Sequence, residues 1–333
     1  MAVLIPGAPA IPGLAFRRLR APADYAEIAA VFNAVAAADH HFFRVTPEGV
    51  AHWYAHPDGW DPATDELIVE VDGRIVGWAD VRYAPDTDGT PVYALGCALL
   101  PEVRRRGLGT ALLAHNEAQA RARAAIEAPG ASVLLHASAT EHQAGAMALL
   151  EKAGYRVARW FIEMVHPSLD AVPEMPMPDG LAIRPMEPAD HRAVFDADSE
   201  AFQDHWGGID VSESAFERFF GGPEFTPELW RVAWDGDQVA GVIMVRVLTA
   251  YNEEHDARRV LINGVSVRRP WRGRGLARAL LADALRGARD AGFTSATLDV
   301  DAENPTGALG VYEAVGFEVD SRSRAYRRPL PEG

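Results

Sequence analysis

Cysteine is almost missing: Cys97 is the single one in 333 residues. That excludes an intrachain disulfide and argues against a zinc site built on thiolates. In its apolar surroundings Cys97 itself reads as a small buried hydrophobe. Positive charge is also scarce. With 32 Lys and Arg against 47 Asp and Glu, the formal net charge is −15. This speaks against nonspecific nucleic-acid binding, because neutralising phosphates takes a basic face; an amine is the charged small molecule such a balance attracts. No uninterrupted apolar run is long enough to span a bilayer. The opening MAVLIPGAPAIPG is short, broken by proline and without a basic leader, so it is not expected to act as a signal peptide. The expected setting is the cytoplasm, with neither membrane nor nucleic acid as partner, for a monomer or homodimer.

What is present is an internal repeat with a period of about half the chain. LAFRRLRAPAD (14–24) matches LAIRPMEPAD (181–190), and ELIVEVDGRIVGWADVR (66–82) matches LWRVAWDGDQVAGVIMVR (229–246). RRRGLGTALLAHNEAQARA, from Arg104, matches RGRGLARALLADALRGARDAG, from Arg272, and LLEKAGYRV (149–157) matches VYEAVGFEV (311–319). Matches in one order along both halves predict two domains, 1–166 and 180–333. The proline-rich stretch at 167–179 reads as an extended linker.

Each half carries the same predicted elements. In the second, GLAIRPM reads as a short strand and ADHRAVFDADSEAF as a helix with Val194, Phe195 and Phe202 near helical spacing. SESAFERFF reads as a helix capped by Ser212. Asp235-Gly236-Asp237 marks a hairpin, and RRVLINGVSV is a β-branched strand. A helix from Gly275 keeps Leu276, Leu280, Leu281 and Leu285 on one stripe and stops at Gly292. SATLDV reads as a strand, NPTGALGVYEAV as a helix begun by Asn304 and Pro305, and GFEVDSRSRAYRR as the closing strand. Strands and helices mixed in this order predict the α+β class with a partly parallel sheet.

Between the strand ending at Val267 and the helix lies RPWRGRGLARALL (269–281). A glycine turn entering a helix leaves amide N–H groups without intrahelical partners, and the positive end of the helix dipole adds to their pull on an anion. Gly273 and Gly275 allow close backbone approach, Ala277 leaves the next amide unobstructed, and Arg272 and Arg274 add charge. Pyrophosphate is the natural guest.

The R-x-x-G-x-G/A turn, the β-branched strand before it and N-P-x-G-A-x-x-x-Y-E-x-x-G-F at 304–317 together resemble the GCN5-related N-acetyltransferase superfamily, in two tandem copies. That resemblance implies acetyl-CoA as cofactor, with no metal, and acetyl transfer to a small-molecule primary amine. It implies that Val265, Ser266 and Val267 pair with the pantetheine arm and that Arg272, Gly273, Arg274, Gly275, Leu276 and Ala277 hold the pyrophosphate. Asn304 would lie near the cofactor arm, and Tyr312 would protonate the departing sulfur as general acid.

The first half keeps a turn, Arg104, Arg105, Arg106, Gly107, Leu108 and Gly109, which could hold a second acetyl-CoA. It has Leu150 where counting from the G-Y/F glycine puts Tyr312, and His142 where it puts Asn304. Chemistry is therefore expected in the second half. A general base is not evident: where several relatives place a carboxylate, this sequence has Leu261, Ile262, Asn263 and Gly264. By composition, Glu200, Asp204 and His205 are the first candidates for the base and Glu253, Glu254 and His255 the second; the resemblance places the first cluster, with Trp206, at the acceptor-lining helix and loop. Three further classes compete: a thiol-biosynthetic acetyltransferase similar to mycothiol synthase, a protein-lysine acetyltransferase, and a non-catalytic CoA-binding sensor or scaffold.

Overall fold

The computed structural model describes residues 3–222, 224–304 and 307–330. The chain forms two compact units, one made of residues up to Arg159 together with those from Ser323 onward, the other of Trp160–Arg322. In chain order the elements are β1 (Leu14–Arg17), α1 (Tyr25–Ala38), α2 (Pro47–Ala55), α3 (Pro62–Asp65), β2 (Glu66–Val71), β3 (Arg74–Tyr83), β4 (Val92–Leu99), α4 (Leu108–Glu127), β5 (Leu134–Thr140) and α5 (Ala144–Lys152). There follow β6 (Arg156–His166), β7 (Ala182–Arg184), α6 (His191–Phe202), α7 (Glu213–Gly221), β8 (Arg231–Asp235), β9 (Gln238–Val247), α8 (Thr249–His255), β10 (Arg259–Val267), α9 (Leu276–Asp290), β11 (Ser295–Asp301), α10 (Ala308–Glu313) and β12 (Glu318–Pro329).

The first unit's sheet runs β1-β2-β3-β4-β5-β12 and the second unit's β7-β8-β9-β10-β11-β6. The two are the same succession, antiparallel except for β4 with β5 and β10 with β11. Each parallel pair runs together for only three residues. β4 and β5 are in register over Val92–Ala94 and Leu134–His136, and β10 and β11 over Arg259–Leu261 and Ser295–Thr297. Beyond those points β10 continues to Val267 with a partner, among the described residues, on its β9 side only, and a bulge between Ile262 and Gly264 bends it there. β4 has no such break, its register with β3 being regular from Gly77 to Tyr83.

The leucine stripe expected of α9 is inside the second core, with Leu276, Leu280, Leu281 and Leu285 each at most 1% exposed. At ~1.5–3 kcal/mol for each buried leucine, this packing fixes where the helix begins. Its N-cap is Gly275, at φ 87°, a left-handed conformation that glycine alone adopts without steric penalty. Ser212 caps α7 by accepting the Ala215 amide at 3.1 Å, and the Asp235–Asp237 turn joins β8 to β9 as expected.

Several expectations are corrected. The division at residue 166 fails because β6 pairs with β11, from Ala296 opposite His166 to Asp301 opposite Phe161. The closing strand of the second half fails for the matching reason: Ser323–Pro329 of β12 pairs with β5 of the first unit. Nor is 167–179 a free linker. Leu169 is 1% exposed, its amide donates to the Thr294 carbonyl at 2.9 Å, and Arg286 donates to the Pro173 carbonyl at 3.1 Å. Glu253, Glu254 and His255 lie on the helix α8. α10 begins at Ala308 behind a left-handed Gly307, so Asn304 is not its cap; Pro305 lies outside the described residues. Cys97 is accessible rather than buried, on a surface enclosed enough that desolvation pushes its thiol up to about 12. The opening segment packs on the first core, with Ile5 and Ile11 buried.

Candidate active site

Where β10 and β11 part, the second unit holds a cavity of about 530 Å³. One wall is the unpaired edge of β10, including Val265, Ser266 and Val267; the floor is the turn into α9; the far side carries Asp299, Asn304 and Tyr312. β10 bonds to β9 through Val265 opposite Ile243, Ser266 opposite Val242 and Val267 opposite Gly241. Its other edge therefore offers extended backbone to a ligand in the manner of an added strand. Ser266 is buried and its hydroxyl is bound by Asp198 of α6, whose carboxyl desolvation raises to about 7.

The turn is shaped to admit an anion. Gly273 and Gly275 both have positive φ, with no atom within 4 Å of where a Cβ would stand. The first α9 amide bound within the helix is that of Ala279, to the Gly275 carbonyl at 3.1 Å, which leaves the Leu276 and Ala277 amides directed outward. Gly273, Leu276 and Ala277 line the cavity, as does Arg278, which sequence reasoning missed.

The arginines of the motif serve differently from the sequence expectation. Arg272 donates through Nε to the Val267 carbonyl at 2.8 Å, through Nη1 to Asp204 at 2.6 Å and through Nη2 to the Ala201 carbonyl at 3.1 Å. Its guanidinium clasps the turn to the end of β10 and to α6. Arg269 also pairs with Asp204, and the two arginines hold that carboxyl far below its ordinary range. Arg274 turns away, donating to the Asp179 carbonyl at 2.8 Å. Glu200 is taken up by Arg268 at 2.8 Å.

Of the acceptor-site candidates, then, Asp204 and His205 reach the cavity, whereas Glu200 and Trp206 are not among its lining residues. Trp206 packs against Phe161, which does line it, with ring centroids 6.0 Å apart. Asn304 Nδ2 lies 3.4 Å from His205 Nε2, joining residues 99 positions apart. Tyr312 is 7% exposed and lines the cavity; desolvation pushes its phenol up to about 12.

The first unit repeats the clasp. Arg104 donates through Nε to the Leu99 carbonyl at 2.8 Å and through both Nη atoms to Asp39, at 2.6 and 3.0 Å, while Gln143 also donates to Asp39 at 2.8 Å. The signal was legible as Asp39-His40 against Asp204-His205, a match the repeat comparison passed over. Around the turn the two units differ. Arg105 takes the place of Gly273 and is forced to φ 59°, and Pro9 lies 3.6 Å from where a Cβ at Gly107 would stand.

Asp299 also escaped sequence reasoning, which read SATLDV as a strand and gave its acid no role. Phe161 was missed because the division at 166 assigned it to the other half.

Among the described residues no group of three or more His, Cys, Asp or Glu is arranged to hold a metal ion, and no helix is long and apolar enough to cross a membrane. The family model described as "Acetyltransferase (GNAT) family" matches residues 34–155 and again 191–317. Mycothiol acetyltransferase of Geodermatophilus obscurus is 28% identical over 92% of this chain and 95% of its own. That of Salinispora tropica is 32% identical over 74% of this chain and 75% of its own. The crystal structure of a GCN5-related N-acetyltransferase from Sphaerobacter thermophilus superimposes with a TM-score of 0.69 at 29% identity, covering 96% of both chains. With the family's model met once in each half, the chain belongs to the acetyltransferase (GNAT) family and is an N-acetyltransferase.

Proposed function

We propose that the second unit binds acetyl-CoA along the free edge of β10 and at the turn into α9, and acetylates the primary amine of a small molecule. The observation that carries this reading is the convergence on one cavity of an unpaired strand edge, an open glycine turn and a buried tyrosine. These residues fit the group: backbone amides at Leu276 and Ala277 suit a pyrophosphate, and the extended edge at Val265–Val267 suits an amide-bearing arm. When bound, acetyl-CoA supplies an activated thioester carbonyl and a thiolate leaving group. Tyr312, protonated throughout the neutral range because desolvation raises its phenol, donates its proton to the sulfur as the bond to carbon breaks. The clasp of Arg272 on Asp204 and Val267 fixes the turn relative to β10, so both parts of the ligand are met in one geometry.

The regular register of β4, Arg105 in place of a glycine and Pro9 beside Gly107 support assigning turnover to the second unit. Leu150 there is 5% exposed within the first unit's second core cluster and carries no proton to give.

For the acceptor, similarity to mycothiol acetyltransferases along nearly the whole chain supports a mycothiol-type substrate, the free amine of a cysteinyl pseudo-disaccharide. Incubation with acetyl-CoA and that amine, beside polyamines, amino acids, aminoglycosides and a lysine peptide, with CoA release measured chromatographically so that the acceptor's own thiol does not count, tests the reading. Release with the cysteinyl compound alone supports it; release with the lysine peptide or another amine in its place moves the acceptor class, and no release with any acceptor favours the sensor.

A further inference from the structure

Four carboxyl or imidazole side chains from different parts of the second unit reach the cavity that holds Tyr312: Asp204, His205, Asp299 and Asp301. Three are engaged. Asp204 is held by Arg269 and Arg272. His205 Nε2 is engaged, at 3.4 Å, with the amide nitrogen of Asn304, whose N–H groups donate. Asp301 is 5% exposed and accepts the Glu303 amide at 3.0 Å. Asp299, on the arm of β11 that has left β10, has neither a hydrogen bond nor an ion pair among the described residues.

We infer, resting on the acetyltransferase reading above, that Asp299 is a catalytic residue that accepts the proton of the acceptor's ammonium group. Its surroundings suit a base of near-neutral strength. Asp299 is solvent-accessible at the cavity while protein packs around its carboxyl, and this desolvation raises it to about 6. Directly opposite on β6 stands Glu163, 7% exposed and bound to the Ser321 hydroxyl at 3.3 Å. Like-charged neighbours in an antiparallel pair repel. Desolvation, Asp299 and Asp320 of β12 push the Glu163 carboxyl up to about 8 against the opposing pull of Arg259 of β10. At neutral pH, Glu163 holds a proton and Asp299 the charge, which leaves an anion facing a cationic amine.

The proton balance closes. Asp299 takes one proton from the ammonium and passes it to solvent, and the nitrogen lone pair so freed bonds to the acetyl carbonyl carbon. The carbon–sulfur pair leaves with sulfur, which takes the Tyr312 proton. The second nitrogen proton, acidic once the new bond forms, restores the phenol, so one proton is released in all.

The test compares wild type with Asp299→Asn, nearly isosteric, and Glu163→Gln. Calorimetric acetyl-CoA binding checks the cofactor site and folding, kcat/KM from pH 5 to 9 with the cysteinyl pseudo-disaccharide follows the base, and a carboxyl ¹³C titration of acetyl-CoA-free protein reads the ionisation without turnover. Asp299→Asn is expected to bind acetyl-CoA as wild type does, to lose about 10²-fold or more in kcat/KM, and to lack both the acid limb and the ¹³C transition near pH 6. Glu163→Gln is expected to keep that limb and transition. An Asp299→Asn enzyme with wild-type kcat/KM and its acid limb overturns the inference, as does an Asp299 resonance titrating in the ordinary carboxylate range. Failure of the wild type to bind acetyl-CoA overturns the cofactor reading instead, and the ¹³C titration still decides the state of Asp299.

Discussion

Tyr312 and Asp198 show how one physical effect, desolvation, gives two side chains opposite relations to stability. A phenol raised to about 12 remains a donor at every physiological pH and costs the fold nothing. Tyr312→Phe, which removes the proton alone, is expected to lower kcat by about 10²-fold or more while leaving acetyl-CoA affinity unchanged by calorimetry. Asp198 is a liability: one of its oxygens finds no partner, and its carboxyl stands near 7 in the folded protein against about 3.9 when unfolded. Between those values the folded state holds a proton that the unfolded state lacks, so stability falls as pH rises through the window. Asp198→Asn is expected to raise Tm at pH 8 and about half as much at pH 5.5, by about 2–4 °C for each kcal/mol recovered. An equal shift at both values would mean that packing, not ionisation, sets the difference. Tyr312 was legible because a local motif surrounds it. Asp299 was not, since whether an acid in a strand faces water or an enclosed cavity depends on where a neighbouring strand departs.

At the scale of elements, the turn into α9 is the part most directly encoded. Gly273, Gly275, the leucine stripe and the β-branched strand before them lie within one short stretch, and the structure assembles them without rearrangement. What spacing could not give was the role of the motif's arginine, because Asp204 lies far upstream in sequence. The same clasp in both units allows a paired test. Arg104→Ala leaves the buried Asp39 without its main partner and is expected to destabilise the first unit by about 1–3 kcal/mol, with acetyl-CoA binding unchanged. Arg272→Ala is expected to loosen the turn from β10 and weaken acetyl-CoA binding by about tenfold, some 1.4 kcal/mol. Equal affinity in both variants would show that the clasp supports the fold alone.

At the scale of the whole molecule, the repeat gave the count of units but not their boundaries. Both halves end in a strand after the G-Y/F motif, and a sequence pattern does not say which sheet such a strand joins, since that choice is made by long-range pairing. The chain gives β6 to the second unit and most of β12 to the first: Ala325 and Tyr326 are at most 1% exposed there, and Arg327 pairs with Asp86 at 2.6 Å. A chain cut at the repeat boundary, 180–333, therefore lacks a strand of its own sheet, whereas 160–322 contains the whole second unit. The 160–322 piece is expected to melt cooperatively and bind acetyl-CoA, and the one cut by repeat to do neither; cooperative folding of 180–333 would show the exchange to be dispensable. The central claim, that acetyl-CoA is held at the α9 turn of the second unit, meets its most direct test in titration calorimetry of the full chain and of Gly275→Glu. That variant puts a side chain on a left-handed residue and a negative charge where the pyrophosphate would lie. The account predicts one site per chain, lost in the variant while the fold is retained; two sites, or binding that survives in folded Gly275→Glu, would contradict it.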